Sequence, residues 1–473
     1  MFDTIRDLIA RDNDYPHRTW VLDTLSRVLD GHLYDVLPYD FHEERTAAGE
    51  YVPLRKRRPS VRYPLCRVVV EDSVSLLFSE GHFPTIDCAD RPTQTALARI
   101  IRDSRLNLAM TDAAIRGSVG SVAILMKILK GRVFFQVLDT KYLDPTWDPD
   151  EPDALLTVSE CYKVSGLQLV RNGYRLADPT QDYWFQRTWD REAEIWYEPR
   201  PVGSDIPPAV DLARTVHHRL GFVPVVWIRN LPGFSSTGDP NDGACTFRAA
   251  LDSQIEIDYQ LSQAGRGLKY SSDPTLLLKE PYGADTDIVK GAGNALIVGE
   301  KGDARLLEIG GTAAAAVIDY VRTLRELALE SIHGNRASPE RLSAAQSGRA
   351  LELMNQGLLW LADNLRITYG EIALLTLATM VVRASRSYVL RAGGEPLPPM
   401  DPAATLSLKW PRWYPTSATD RQLDALTLTT LMNAGQISRS TAVKAIADTY
   451  DIDNVTAELE QIQADRNERN SID

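Results

Sequence analysis

Apolar positions over residues 1–30 recur at helical spacing. Ile5, Leu8 and Ile9 share one face, and Trp20, Leu22, Leu25, Val28 and Leu29 continue the pattern up to Gly31, which is placed to stop a helix. Residues 38–60 carry Pro38, Pro53 and Pro59 and predict loop. In RYPLCRVVVEDSVSLLFSEG, the positions Leu65, Val69, Val70, Val74, Leu77 and Phe78 predict a further helix, closed by Gly81 and Pro84. Over 93–116 Leu97, Ile100, Ile101, Leu108 and Ile115 lie near one stripe and predict one continuous amphipathic helix.

The period changes at Gly117. SVAILMKILKGRVFFQVLD predicts a β-hairpin turning at Lys130-Gly131. Strands are predicted over Leu155–Val164, Tyr183–Trp189, Glu194–Tyr197 and Val223–Ile228, where Tyr and Trp are dense as suits a sheet. Residues 231–243, LPGFSSTGDPNDG, predict a linker or boundary. Helical spacing resumes from Thr246 to Leu268, with Asp252, Glu256 and Asp258 assigned to the surface. Residues 271–311 hold short apolar runs between glycines (275–278, 295–298 and 305–309). Ala313 to His333 predicts a helix with Val317, Tyr320, Val321, Leu324, Leu327 and Ser331 on one face, and GNRASPERLSAAQSG at 334–348 breaks the pattern.

Beyond the break, Leu351, Met354, Leu358, Leu361, Leu365, Thr368, Ile372, Leu375, Thr379 and Val382 alternate by three and four, a heptad-type seam. A second apolar set widens it, so this helix is expected to be buried on more than one side, with Gly357 and Gly370 as candidate kinks. Residues 393–402 are proline-rich, 406–410 predict one more strand, and the segment from Asp420 is helical, with an N-cap at Ser438. No period of 20–50 residues repeats. The alternation predicts a mixed α+β chain.

Composition narrows the function classes. The 473 residues carry 52 Lys+Arg against 64 Asp+Glu, a formal charge of −12, which argues against a protein built chiefly to grip nucleic-acid phosphates. Cys66, Cys88, Cys161 and Cys245 are scattered, which fits neither a disulfide framework nor a cysteine zinc site. The charged start, MFDTIRDLIARDND, does not read as a signal peptide. The most apolar run, Ile372 to Val382, is shorter than the roughly 20 residues that span a bilayer. These features predict a soluble intracellular chain.

No Walker A, HExxH, GxSxG or EF-hand pattern occurs. GAGNAL at 291–296 has two of the three dinucleotide-fold glycines but precedes a strand-like run where a helix is needed. His217-His218 lacks nearby ligands, and neighbouring residues of a strand point to opposite faces. No cofactor and no metal are expected. The run 51–67 holds six Lys/Arg and no acid, a candidate contact for nucleic acid or an acidic subunit, or a solvated loop. The break at 334–348 exceeds an ordinary helix–helix connection, and it holds Arg336 and Arg341, with Arg349 just beyond.

The order of these parts resembles the portal proteins of long-tailed bacteriophages over most of the length. The likeness runs from VVVEDSVSLLFSEG through the mixed region, the two helices flanking a β-rich insert, the polar loop and the long helix. It is strongest in WYPTSATDRQLDALTLTTLMNAGQISRSTAVKAIADTYDI at 413–452. The resemblance implies a wing over 1–244, with 390–419 returning to it. It implies stem helices at 245–270 and 312–333, a clip at 271–311, a tunnel loop at 334–348, a long wing helix at 349–389 and a crown at 420–473. It further implies a homo-oligomeric ring, usually of twelve subunits, at one capsid vertex of the virion, through which double-stranded DNA passes. The implied partners are the terminase large subunit, the head-tail adaptor, and the major capsid and scaffolding proteins.

On that assignment Arg336, Arg341 and Arg349, with Lys269 and Arg266 at the stem end, are the expected DNA contacts. Asp285, Asp287, Lys290 and Glu300 are the expected clip docking residues, and Leu351, Met354, Leu358, Leu361 and Leu365 the expected packing between subunits. Twelve copies at −12 each would carry −144, a field that keeps phosphates from sticking as they slide. Two other functions compete: an enzyme with a site in 117–230 outside any known motif, and another head-tail connector component such as the adaptor.

Overall fold

The computed structural model describes residues 1–40, 45–272, 275–281, 298–307, 312–333, 352–353, 355–414, 418–447, 450, 452 and 455–472, with some side chains within these ranges left out. The architecture is mixed α/β. Contacts divide it into two units, one of Met1–Asn335 with Trp360–Pro411, the other of Arg336–Leu359 with Arg412–Asp473.

The first unit opens with α1 (Phe2–Arg6) and α2 (His17–Leu29), the latter ended by Gly31 at φ +73°. Two-residue strands β1 (Tyr39–Asp40) and β2 (Arg57–Arg58) pair in parallel. Then come α3 (Leu65–Phe78), β3 (Thr85–Cys88), α4 (Arg91–Ser104) and α5 (Leu106–Gly117). The helix expected over 93–116 is therefore two helices. Arg105 sits between them at φ +53°, a left-handed conformation that ends α4.

The hairpin of β4 (Ser121–Leu129) and β5 (Arg132–Leu138) turns where expected. Lys130 and Gly131 both have positive φ, and a Cβ on Gly131 would lie 2.7 Å from the carbonyl oxygen of Val389. A second antiparallel sheet holds β6 (Leu143–Trp147), β7 (Leu155–Ser165), β8 (Asp182–Trp189), β9 (Ala193–Trp196) and β11 (Val216–His217) in that spatial order, with β10 (Arg200–Pro201) on β8 and the short α6 (Gly166–Arg171) after β7. β12 (Val225–Arg229) pairs with β4. Ala123 and Leu125 of β4 enter one core cluster with Trp189 and Trp227, whereas Met126 enters another with Ile100, Val381 and Met400. This small sheet is buried on both faces, which is why β4 reads as a continuous apolar run.

Residues 231–243 are not a boundary. Arg18 forks onto Asp242 at 2.8 and 2.7 Å, Trp147 donates to Asn241 Oδ1 at 2.7 Å, and the Gly243 amide donates to the Gly120 carbonyl at 2.8 Å. The polar residues that suggested a solvated linker are the ones pinning the loop to the sheet.

Next follow α7 (Leu251–Ser272), β13 (Thr275–Pro281), β14 (Val298–Leu307) and α8 (Thr312–Ser331). The long helix α9 (Gln356–Ala384) contains a π-helical stretch, Arg366–Leu374. Its buried row runs Leu361, Leu365, Tyr369, Ala373, Leu377, Val381, in steps of four, because the wider i→i+5 turns hold that row over one face. The expected heptad row does not stay inside: Ile372 is half-exposed and Thr379 exposed. Burial on more than one side is thus not seen in a single chain. By length and composition α9 could cross a bilayer, which the contiguous 11-residue run understates, and 56% of its apolar window is buried in the fold as a core helix would be.

After the short β15 (Arg391–Ala392) and β16 (Glu395–Pro396), β17 (Leu406–Lys409) pairs antiparallel with β3, about three hundred residues earlier. The second unit contains α10 (Ala418–Asn433), α11 (Arg439–Ile446) and α12 (Val455–Ile472). The Ser438 side chain caps α11 by accepting from the Thr441 amide at 3.1 Å.

Candidate functional site: a hairpin-tipped helix pair and its anchor

α7 and α8 pack side by side and are joined through β13 and β14, which pair antiparallel from Thr275↔Leu307 to Lys279↔Asp303 and slip register before Pro281↔Val298. At 1.5 Å per residue the two helices are each about 30 Å long. Among the described side chains of α8, Ala328 and Leu329 near its end are buried, as is Ile332 just beyond it, and the helix contacts both α7 and the turn Arg248–Ala250. Farther out, Ile318 is 44% exposed, Tyr320 47% and Leu327 56%, and Leu268 of α7 is 51% exposed. Tyr320 and Leu327, two members of the face expected on α8, are open in the single chain.

The base of α7 is fixed by a row of side chains spaced by four. Gln254 Oε1 accepts from the Cys66 amide at 2.8 Å, Asp258 Oδ1 from the Tyr63 amide at 2.6 Å, and Ser262 Oγ from the Val61 amide at 2.9 Å. Beside them, the Tyr259 hydroxyl donates to the Arg57 carbonyl at 2.7 Å and the Tyr34 hydroxyl to Asp258 Oδ2 at 2.7 Å. Asp258, expected on the surface, is 1% exposed. Burial raises its carboxyl to about 7, against the opposing pull of the Tyr34 and Tyr63 hydrogen bonds and the Arg62 charge. Burial raises the Tyr34 and Tyr259 hydroxyls as well, with the Asp258 charge adding to both.

The basic run 51–67 is thereby a strap across α7, and most of its cations serve this chain. Arg57 is 2% exposed and donates to the Val52 carbonyl at 2.7 Å; Arg58 donates to the Leu37 carbonyl at 2.6 Å. Arg62 reaches the Gly31 carbonyl and Asp35, and Arg67 pairs with Glu71 at 2.7 Å. Arg57 is buried and Arg58 half-buried, while Lys56, Arg62 and Arg67 keep exposed side chains.

A groove of about 930 Å³ runs along the open side of α9, between Ile367, Ile372 and Met380 and Trp147 of β6 and Phe222 ahead of β12. Arg229 lies over the Trp147 ring and Arg383 over Phe222. The groove lining holds no histidine, cysteine or lysine. Among the described residues no group of three or more His, Cys, Asp or Glu could hold a metal ion. His217 is exposed on β11, and burial holds His218 below the usual histidine range.

Of the sequence-derived site residues, Arg266 lies half-exposed on α7, Lys269 belongs to the same helix and Glu300 to β14. Leu358, Leu361 and Leu365 are buried within this one chain, so contact between subunits is not what covers them. Arg336, Arg341, Arg349, Asp285, Asp287, Lys290, Leu351 and Met354 lie outside the described residues. The anchoring row of Gln254, Asp258 and Ser262 was missed, although its i, i+4, i+8 spacing is visible in the sequence. A scan against protein-family models finds no match, and no curated protein matches the sequence.

Proposed function

We propose that the chain is the subunit of a portal-type ring at a capsid vertex, the channel for packaging and ejecting double-stranded DNA. The observation that carries this reading is the helix–hairpin–helix arm, fixed at its base to an α/β unit and carrying apolar side chains that one chain leaves open. Covering the four half-exposed side chains against neighbouring copies would contribute on the order of 1 kcal/mol each. The return of β17 to β3 also fits the expected return of 390–419 to the wing.

In this reading α7 and α8 form the stem, and the β13–β14 segment docks the terminase large subunit and later the head-tail adaptor. Residues 334–348, with Arg336 and Arg341, face the DNA and contact phosphates without reading bases. The capsid and scaffolding proteins surround the ring. The motor partner supplies nucleotide hydrolysis.

Native mass measurement and negative-stain imaging of the purified chain test the reading. A closed ring of several hundred kilodaltons with a central hole is expected. A monomer, dimer or tetramer without a hole would overturn it.

A further inference from the structure

β12 is an edge strand: β4 takes one side of it, and no strand among the described residues takes the other. The register fixes which backbone groups are left over. The Met126 amide donates to the Pro224 carbonyl and the Asn230 amide to the Gly120 carbonyl, so Val226 and Ile228 between them bond to β4. The N–H and C=O groups of Val225, Trp227 and Arg229 point the other way. The groove beside α9 lies on that side, for all five residues of β12 line it and none of β4 does. Side chains of a strand alternate between faces, so lining by five in a row marks the strand's edge rather than one of its faces.

The edge is recessed, with Val225 1% exposed and Trp227 6%. Backbone groups left unpaired at such a depth are costly, and a strand laid along the edge would pair them. One wall of the groove is Ile367 and Ile372 of α9, each 55% exposed, with Met380; the other holds Trp147 and Leu155. A strand between two apolar walls carries a continuous apolar run, here about five residues along the roughly 17 Å of β12. Arg229 over Trp147 and Arg383 over Phe222 are exposed, and among the described residues neither pairs with a carboxylate, which favours acids flanking that run. Glu151 and Asp153, on the turn between β6 and β7, also line the groove and disfavour acids within the run.

The described residues of a second copy offer no such strand. β4 is taken on both edges, β12 is itself the recessed floor, and β13, apolar at Leu276, Leu277 and Leu278, is paired with β14 at the tip of the arm. We infer that the groove receives an extended apolar strand of a different protein, added to the open edge of β12. This holds whether or not the chain forms a ring.

Selection of a displayed library of random seven-residue peptides tests it, on the full chain and on a variant carrying Ile367→Asp and Ile372→Asp. Both positions are exposed, and the variant should keep the wild-type far-UV circular dichroism. Peptides with an apolar run between acids should be enriched at least tenfold on the wild-type chain over the variant. The best of them, resynthesised with alternate amides N-methylated, separates strand addition from apolar adhesion and needs only the wild-type chain. Methylating one alternate set should weaken binding at least tenfold, and methylating the other less than threefold. Equal loss from both sets, or no preference for the wild-type chain, overturns the inference. A variant whose native mass falls below that of the wild type would give the groove to a neighbouring copy; the foreign strand would then be overturned and the ring reading would stand.

Discussion

Asp258 shows how a residue's role can depend on partners that carry no sequence signature. Asp258 reads as a surface residue, but the groups that Gln254, Asp258 and Ser262 satisfy are backbone amides of residues 61–66, and any residue other than proline supplies one. The carboxyl at about 7 in the fold lies well above its ordinary 3.8. The folded state therefore holds the proton more tightly, and the stability linked to it is full below about pH 4 and lost as pH rises through 7. That loss is on the order of 4 kcal/mol. Asp258→Asn keeps an acceptor for the Tyr63 amide and a partner for Tyr34, so it should flatten the pH dependence between 4 and 8 and stabilise the protein at pH 8. Urea unfolding at fixed protein concentration, at pH 5 and pH 8, checks this. Equal pH dependence in both proteins would show that the carboxyl stays ionised.

Among the elements, those built from contiguous pattern were legible: the hairpin at Lys130-Gly131, the end of α2 at Gly31, and the strands β7, β8 and β9 within a residue or two. β3 was missed because its partner β17 is distant in sequence and short. α9 was legible as a helix and not as a face, because a heptad template assumes constant helical winding and the π-helical stretch departs from it. Gly370 sits in that stretch, where a Cβ would lie 2.2 Å from Trp410 Cζ2, itself held by Arg366 stacked on its ring and by Glu371. It is a packing requirement rather than a spare kink. Gly370→Ala should cost about 1–3 kcal/mol. Gly265 of α7 has nothing within 4 Å of its Cβ position, so Gly265→Ala should add about 0.5–1 kcal/mol. Thermal melts of the two variants should move in opposite directions; a shared direction would mean that the Trp410 contact yields without cost.

At the scale of the whole molecule, the chain closes its α/β core well and its helical arm poorly. Leu22, Ile124, Trp189 and Leu377 are at most 1% exposed, whereas Ile318, Tyr320 and Leu327 along α8 stay near half-exposed. A sequence pattern reports that such residues are apolar but not whether their cover comes from this chain or another, which is why the packing role was assigned to Leu361 and Leu365. If neighbouring copies cover α8, Tyr320→Asp with Leu327→Asp places two charges in that contact without touching the core. The variant should keep the wild-type circular dichroism spectrum and lose the ring, its native mass falling to that of the single 52.7 kDa chain or small oligomers. Burying even one unpaired carboxylate costs several kcal/mol at each contact, and a ring repeats that cost at every subunit. Rings of unchanged mass and yield would place this face of α8 towards solvent and return the source of assembly to other surfaces.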